Sequence, residues 1–239
     1  MAGREEKSLQ KPVLYSYWRS SCSWRVRLAL ELKKVEYSIQ PVHLVKDGGE
    51  QKQENYMKIN PMKQVPSLIM NGKTLTQSVA IIEYLDETVT TGKKLLPSDG
   101  FLRARARSLV EMINSGIQPV QNLAVLTELK RVANITDEDD KAELVGAWGR
   151  EFIERGFEAI EKELSILYTE NPGDYCLGGE ISIVDLFLVP QVYNANRFKV
   201  DMTKFPRIQQ ISESLSSLPE FIVAHPDSQP DSPQPILNN

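Results

Sequence analysis

Ser20-Ser21-Cys22-Ser23 sets three hydroxyls and a thiol in four consecutive positions, and Trp24-Arg25 follow directly. Side chains of these types can hydrogen-bond an anion, support a thiolate, or cap a helix, and the order of residues leaves all three readings open. Upstream, Val13-Leu14-Tyr15-Ser16-Tyr17 alternates and is rich in β-branched and aromatic residues, the pattern of a half-buried strand. Downstream, Val26, Leu28, Ala29, Leu30 and Leu32 interleave with Arg27, Glu31, Lys33 and Lys34 at helical spacing. The polar cluster therefore falls where a strand hands over to a helix. The first turn of a helix carries unpaired N–H groups and about half a positive charge, which suits an anion.

Two other places offer related chemistry. Val65-Pro66 opens a candidate strand, Ser67-Leu68-Ile69-Met70. An X-Pro bond there can be cis and turn the Val65 peptide outward, or trans at an ordinary strand start. Gln77-Ser78 begins a helix with Ile81, Ile82 and Leu85 as its apolar stripe, so Ser78 is either an anion ligand or a cap. Two anion-friendly helix starts and one unpaired peptide edge describe a receptor for a short acidic peptide that contains a thiol.

Composition narrows the field. The chain has 239 residues, 41% hydrophobic and 25% charged, enough for a real core. A formal net charge of −4 argues against nucleic acid as partner. With no apolar run of about 18 residues, no membrane span is expected, and the polar start, Met1 to Lys11, lacks the apolar stretch of a secretory signal. Two cysteines, Cys22 and Cys176, make no disulfide framework and favour a reducing cytoplasm. The two histidines, His43 and His225, stand far apart, which argues against a metal site or a Ser-His-Asp triad.

The element order is a βαβ unit, a helical connection, and a ββα unit in which Asn71-Gly72 is a strong hairpin signal. That predicts an α+β, thioredoxin-like N-terminal domain over 12–87, preceded by a flexible leader over 1–11. A turn-rich linker spans 88–102. An all-α domain follows over 103–225, with Pro119 ending one helix, Thr136 capping another, and Ser182-Ile183-Val184-Asp185 matching a capping box. Trp24 and Trp148 read as core, Arg103, Arg105 and Arg107 as a solvated helix end. The proline-rich segment 226–239 reads as a disordered tail.

Ser20-Ser21-Cys22-Ser23-Trp24-Arg25-Val26-Arg27 closely resembles the active-site motif of the zeta class of glutathione transferases, the maleylacetoacetate isomerases. Asn60-Pro61-Met62-Lys63-Gln64-Val65-Pro66, Gln77-Ser78 with the helix behind it, Ile117 to Leu123, and Val189 to Phe198 are similar to the same class, in the same order. The resemblance implies a glutathione-transferase architecture, glutathione as cofactor, and a homodimer. It implies cis-trans isomerisation of maleylacetoacetate to fumarylacetoacetate in phenylalanine and tyrosine breakdown, with conjugation of α-haloacids as a side activity. A general glutathione transferase and a non-catalytic module of the same fold are the alternatives.

By position, the resemblance sets Ser20, Ser21 and Cys22 at the catalytic sulfur, with Ser23, Trp24 and Arg25 completing the glutathione-binding motif. Gln51 and the Val65 backbone hold the tripeptide, and Gln77 and Ser78 its γ-glutamyl end. Gln118 and Asn122-Leu123-Ala124 approach it across a domain or dimer cleft, and Arg197 attracts the substrate carboxylate. The class often has serine where this chain has Ala124, and the stretch Lys130 to Ala147 is longer and more acidic than the class pattern.

Overall fold

The computed structural model describes residues 10–233, which fall into two compact units: 10–92 together with 223–233, and Lys93–Ile222. The first unit runs β1 (Val13–Ser16), α1 (Ser21–Leu32), β2 (Ser38–Pro41), α2 (Glu54–Met57), β3 (Ser67–Met70), β4 (Lys73–Thr76) and α3 (Ser78–Thr88). Its sheet has the order β2-β1-β3-β4, with β1 and β2 parallel and the other pairs antiparallel. This is the thioredoxin-like arrangement that the element order predicts. Asn71 and Gly72 both take positive φ, 53° and 72°, as a two-residue hairpin turn requires.

Leu14 on β1 pairs with Leu68 on β3, and both are fully buried. α1 and α3 pack together, burying Val26, Leu28, Leu30, Ile81, Ile82 and Leu85. Beyond them a buried ion pair, Lys33 Nζ to Asp86 Oδ1 at 3.4 Å, ties the end of α1 to α3.

The second unit is helical: α4 (Gly100–Glu111), α5 (Leu123–Val132), α6 (Glu138–Glu170), α7 (Ile183–Arg197), α8 (Pro206–Ser216) and the first residues of α9 (Pro219–Ala224). A π-helical stretch, Met112–Ile117, continues α4 to the turn at Pro119. The buried stripe of α6 is Ile153, Phe157, Ile160, Leu164 and Leu167. α7 is buried along nearly its whole length, and its start carries the expected capping box. The Asp185 carboxylate accepts from Ser182 N–H, Ser182 Oγ–H and Cys176 N–H at 2.7, 2.9 and 2.9 Å. Burial pushes the Asp185 carboxyl and the Cys176 thiol up from their ordinary values.

Several expectations are corrected. Asp137, not Thr136, caps α6, accepting from the N–H groups of Asp139 and Asp140. Trp148 is only partly buried and donates to Val120 O at 2.9 Å. Arg105 is not merely solvated, because it bonds both Glu163 and Glu170. The acidic stretch 130–147 is the end of α5, a turn and the start of α6. Residues 226–233, expected to be disordered, are held in the first unit: Gln229 is buried and donates to Val223 O and His225 O at 2.9 and 2.8 Å. Side-chain bonding does there what periodicity could not announce. Residues 1–9 of the expected leader and 234–239 of the expected tail lie outside the described residues.

Candidate active site

β1 ends at Ser16, and a four-residue turn, Tyr17 to Ser20, delivers the chain to α1. Ser20 N–H donates to Tyr17 O at 3.0 Å. Ser20 is the N-cap, and its Oγ accepts the Ser23 N–H at 3.2 Å. Capping and chemistry are therefore compatible here. A hydroxyl has one proton and two lone pairs, and the cap occupies a lone pair, leaving the O–H to donate elsewhere. No acidic residue stands in the first turn of α1 to offset its positive end.

Around that serine, Ser21 is buried and Cys22 half-buried as a free thiol. Ser23 Oγ is fully buried with no hydrogen-bond partner among the described residues. Trp24 is packed inside the unit, 3% exposed, with its ring edge-on to His225 at 5.1 Å. Arg25 is fully buried, and its Nη1 donates to Ser78 Oγ at 3.4 Å. A guanidinium thus stands behind the α1 start and reaches the start of α3.

Gln77 precedes α3 with φ of 69°, a left-handed conformation uncommon outside glycine, and its side chain is exposed. Ser78 beneath it is buried. On the far side, Gln51 is buried, donates through Nε2 to Leu44 O at 3.3 Å, and keeps an Oε1 without a partner among the described residues. Gly49 (φ 103°) makes room for that amide, since a Cβ there would sit 2.6 Å from it.

The Val65-Pro66 bond is cis, and Val65 makes no backbone hydrogen bond among the described residues. The carbonyl just before it, Gln64 O, accepts from Tyr56 Oη at 2.6 Å and Asn60 Nδ2 at 2.8 Å. Sequence reading missed this clamp, although Asn60 in Asn-Pro was a usable turn signal. It also missed His43, whose Nδ1 accepts the Val45 and Lys46 N–H groups and whose own N–H goes to Glu50. His43 and Glu50 fix the loop that carries Gln51.

The remaining expected residues belong to the second unit. Gln118 ends the π-helical stretch, and Asn122 caps α5 by accepting the Ala124 N–H at 3.2 Å. Leu123 and Ala124 are exposed, as is Arg197 at the end of α7. Gln121 Nε2 donates to Gln191 Oε1 at 2.9 Å, fastening the 118–124 segment to α7.

The N-terminal unit thus offers one half-open thiol neighbourhood, two helix starts with no acidic residue in their first turn, and buried polar atoms with unused bonding capacity. Comparisons with known proteins agree. The family model "Glutathione S-transferase, N-terminal domain" matches residues 12–87, and "Glutathione S-transferase, C-terminal domain" matches 125–223. A curated relative in Drosophila melanogaster, "Probable maleylacetoacetate isomerase 2", is 50% identical over 95% of this chain and 93% of its own. The solved structure of a bacterial zeta-class maleyl pyruvate isomerase is 37% identical, with a TM-score of 0.85 over 92% of this chain and 99% of that one. A maleylacetoacetate isomerase from Anaeromyxobacter dehalogenans, solved with bound glutathione in its active site, is 40% identical, with a TM-score of 0.79 over 93% and 98%.

Proposed function

The chain belongs to the zeta class of the glutathione S-transferase family, and from that premise we propose that it isomerises maleylacetoacetate to fumarylacetoacetate with glutathione as cofactor. When bound, glutathione supplies a thiolate that adds reversibly to an activated cis alkene, so that the former double bond can rotate. The observation that carries the reading is the Ser20 cap geometry, in which Oγ accepts from Ser23 and keeps a proton to donate.

The magnitudes are adequate. A free thiol titrates near about 8.5, and lowering that by two pH units takes about 2.7 kcal/mol of preference for the anion. A helix start supplies about 0.3–2 kcal/mol, and one hydrogen bond to a charged acceptor about 1.5–3 kcal/mol. Ser20 with the α1 start therefore suffices, and Ser21 and Cys22 add polarity beside it. Gln51 and the Val65 peptide have the unused bonding capacity to hold a peptide ligand. Gln77, Ser78 and Arg25 suit the carboxylate of its γ-glutamyl end. Gln118 and Asn122 to Ala124 are assigned to glutathione, and Arg197 to the substrate carboxylate, by resemblance to the class.

The same thiolate displaces chloride from small α-haloacids, which needs no further group. The protein works as a homodimer in the cytoplasm. The free thiols Cys22 and Cys176 suit a reducing compartment, and the dimer rests on the class. Among the described residues no helix is long and apolar enough to cross a membrane.

The test is conversion of maleylacetoacetate with and without glutathione. Strict dependence on the tripeptide is expected, with a loss of about 10- to 100-fold in Ser20→Ala. Conversion without glutathione, or full turnover by that variant, would refute the reading.

A further inference from the structure

The turn that carries Ser20 is held from a distant part of the chain. Trp18 N–H donates to Asp231 Oδ2 at 2.9 Å, and Trp18 O accepts from Arg27 Nη2 at 3.0 Å. Both backbone polar groups of this one residue, two positions before Ser20, are therefore taken. Arg27 is fully buried, and its other nitrogens reach Ser16 Oγ at 3.0 Å, Tyr17 O at 3.5 Å and Ala224 O at 3.0 Å. One guanidinium thus grips the end of β1, the turn and the returning C-terminal segment. Between Ala224 and Asp231 that segment is braced by the Gln229 amide, by the 3₁₀ turn Pro226–Ser228, and by His225 against Trp24.

We propose that Asp231 and Arg27 are positioning residues for Ser20: the segment 224–231 clasps the Trp18 peptide unit from outside while Arg27 holds it from within, and together they fix the turn that delivers the Ser20 hydroxyl. Neither residue is among those assigned above to the ligand. Burial lowers the Arg27 guanidinium to about 10, with Tyr37 and Asp231 acting in the opposite direction, so it remains a cation at neutral pH. Asp231 therefore serves the clasp both as acceptor for the Trp18 N–H and as a compensating negative charge. The turn's own bonding, Ser20 N–H to Tyr17 O, fixes its local shape but does not anchor it to the rest of the unit.

The catalytic consequence rests on the function proposed above; the clasp itself does not. The test compares Asp231→Ala with Asp231→Asn, which keeps an oxygen acceptor for the Trp18 N–H. Amide hydrogen exchange is measured in the segment 17–22 and, as control, in the hairpin 67–76, alongside kcat and KM for glutathione. In Asp231→Ala, exchange over 17–22 should rise by about tenfold or more with the hairpin unchanged, the size expected for losing a hydrogen bond to a charged group. Its kcat should fall by about tenfold while KM stays within about twofold, and Asp231→Asn, which keeps the acceptor but not the charge, should recover part of the loss. Exchange and turnover like the wild type in Asp231→Ala would overturn the proposal. So would an equal rise in the hairpin, or a loss as large in Asp231→Asn, since either marks general loosening. If the wild type itself converts no substrate, the functional reading fails, and the exchange comparison still decides the clasp.

Discussion

Arg25 Nη1 lies 3.4 Å from Ser78 Oγ, so a fully buried guanidinium joins the helix start that holds Ser20 to the one assigned to the ligand's carboxylate. A buried cation strengthens the local positive field, which favours an acidic ligand drawn toward this region. Arg25→Lys replaces the planar fork with a single ammonium. Glutathione affinity is expected to fall by about tenfold, measured by titration calorimetry. If Arg25 acts through Ser78, the double variant with Ser78→Ala should lose less than the sum of the two single losses.

The Lys33–Asp86 pair makes a different prediction, about stability alone. Its side chains are 2% and 1% exposed, and the 3.4 Å contact joins the ends of α1 and α3. Removing one partner leaves an uncompensated charge, so Asp86→Ala should cost about 3–5 kcal/mol in urea unfolding. Replacing both, with Lys33→Met and Asp86→Leu, should cost much less, because no charge is then stranded. A double variant as unstable as the single one would contradict this account.

His225 predicts a pH effect. Burial lowers its pKa from the ordinary 6.5, Arg27 acts in the same direction, and Asp227 opposes. The unfolded chain therefore binds the proton more readily than the folded one. Stability should decrease as pH falls through about 6.5 and level off below the folded-state value. Protonation also removes the Nδ1 lone pair that accepts the Asp227 N–H at 3.2 Å. Replacing His225 with Gln should flatten the melting temperature across that window; an unchanged slope would exclude His225 as its source.

The sequence made the strand-to-helix handover at Ser20 legible because periods of two and 3.6 change within a few residues. The Asn71-Gly72 hairpin and the Ser182–Asp185 box were legible for similar local reasons. What the sequence hid depends on distant partners. Trp18 to Asp231 and Arg27 to Ala224 join residues about two hundred positions apart, so a proline-rich segment without periodicity was read as disordered. Ser20 was ambiguous in a different way: capping and donation looked like rivals, whereas the observed cap uses only a lone pair of its Oγ, which is compatible with the donation proposed above.

The return of residues 223–233 to the first unit has a consequence for synthesis. The ribosome releases the sheet and α1 early, but Asp231 emerges only after every helix of the second unit has been made. Until then Arg27 lacks Ala224 and the Trp18 amide lacks its carboxylate. A nascent chain can therefore hold a nearly complete thioredoxin-like sheet well before the turn bearing Ser20 is set, because that turn waits on a segment made only after the whole second unit.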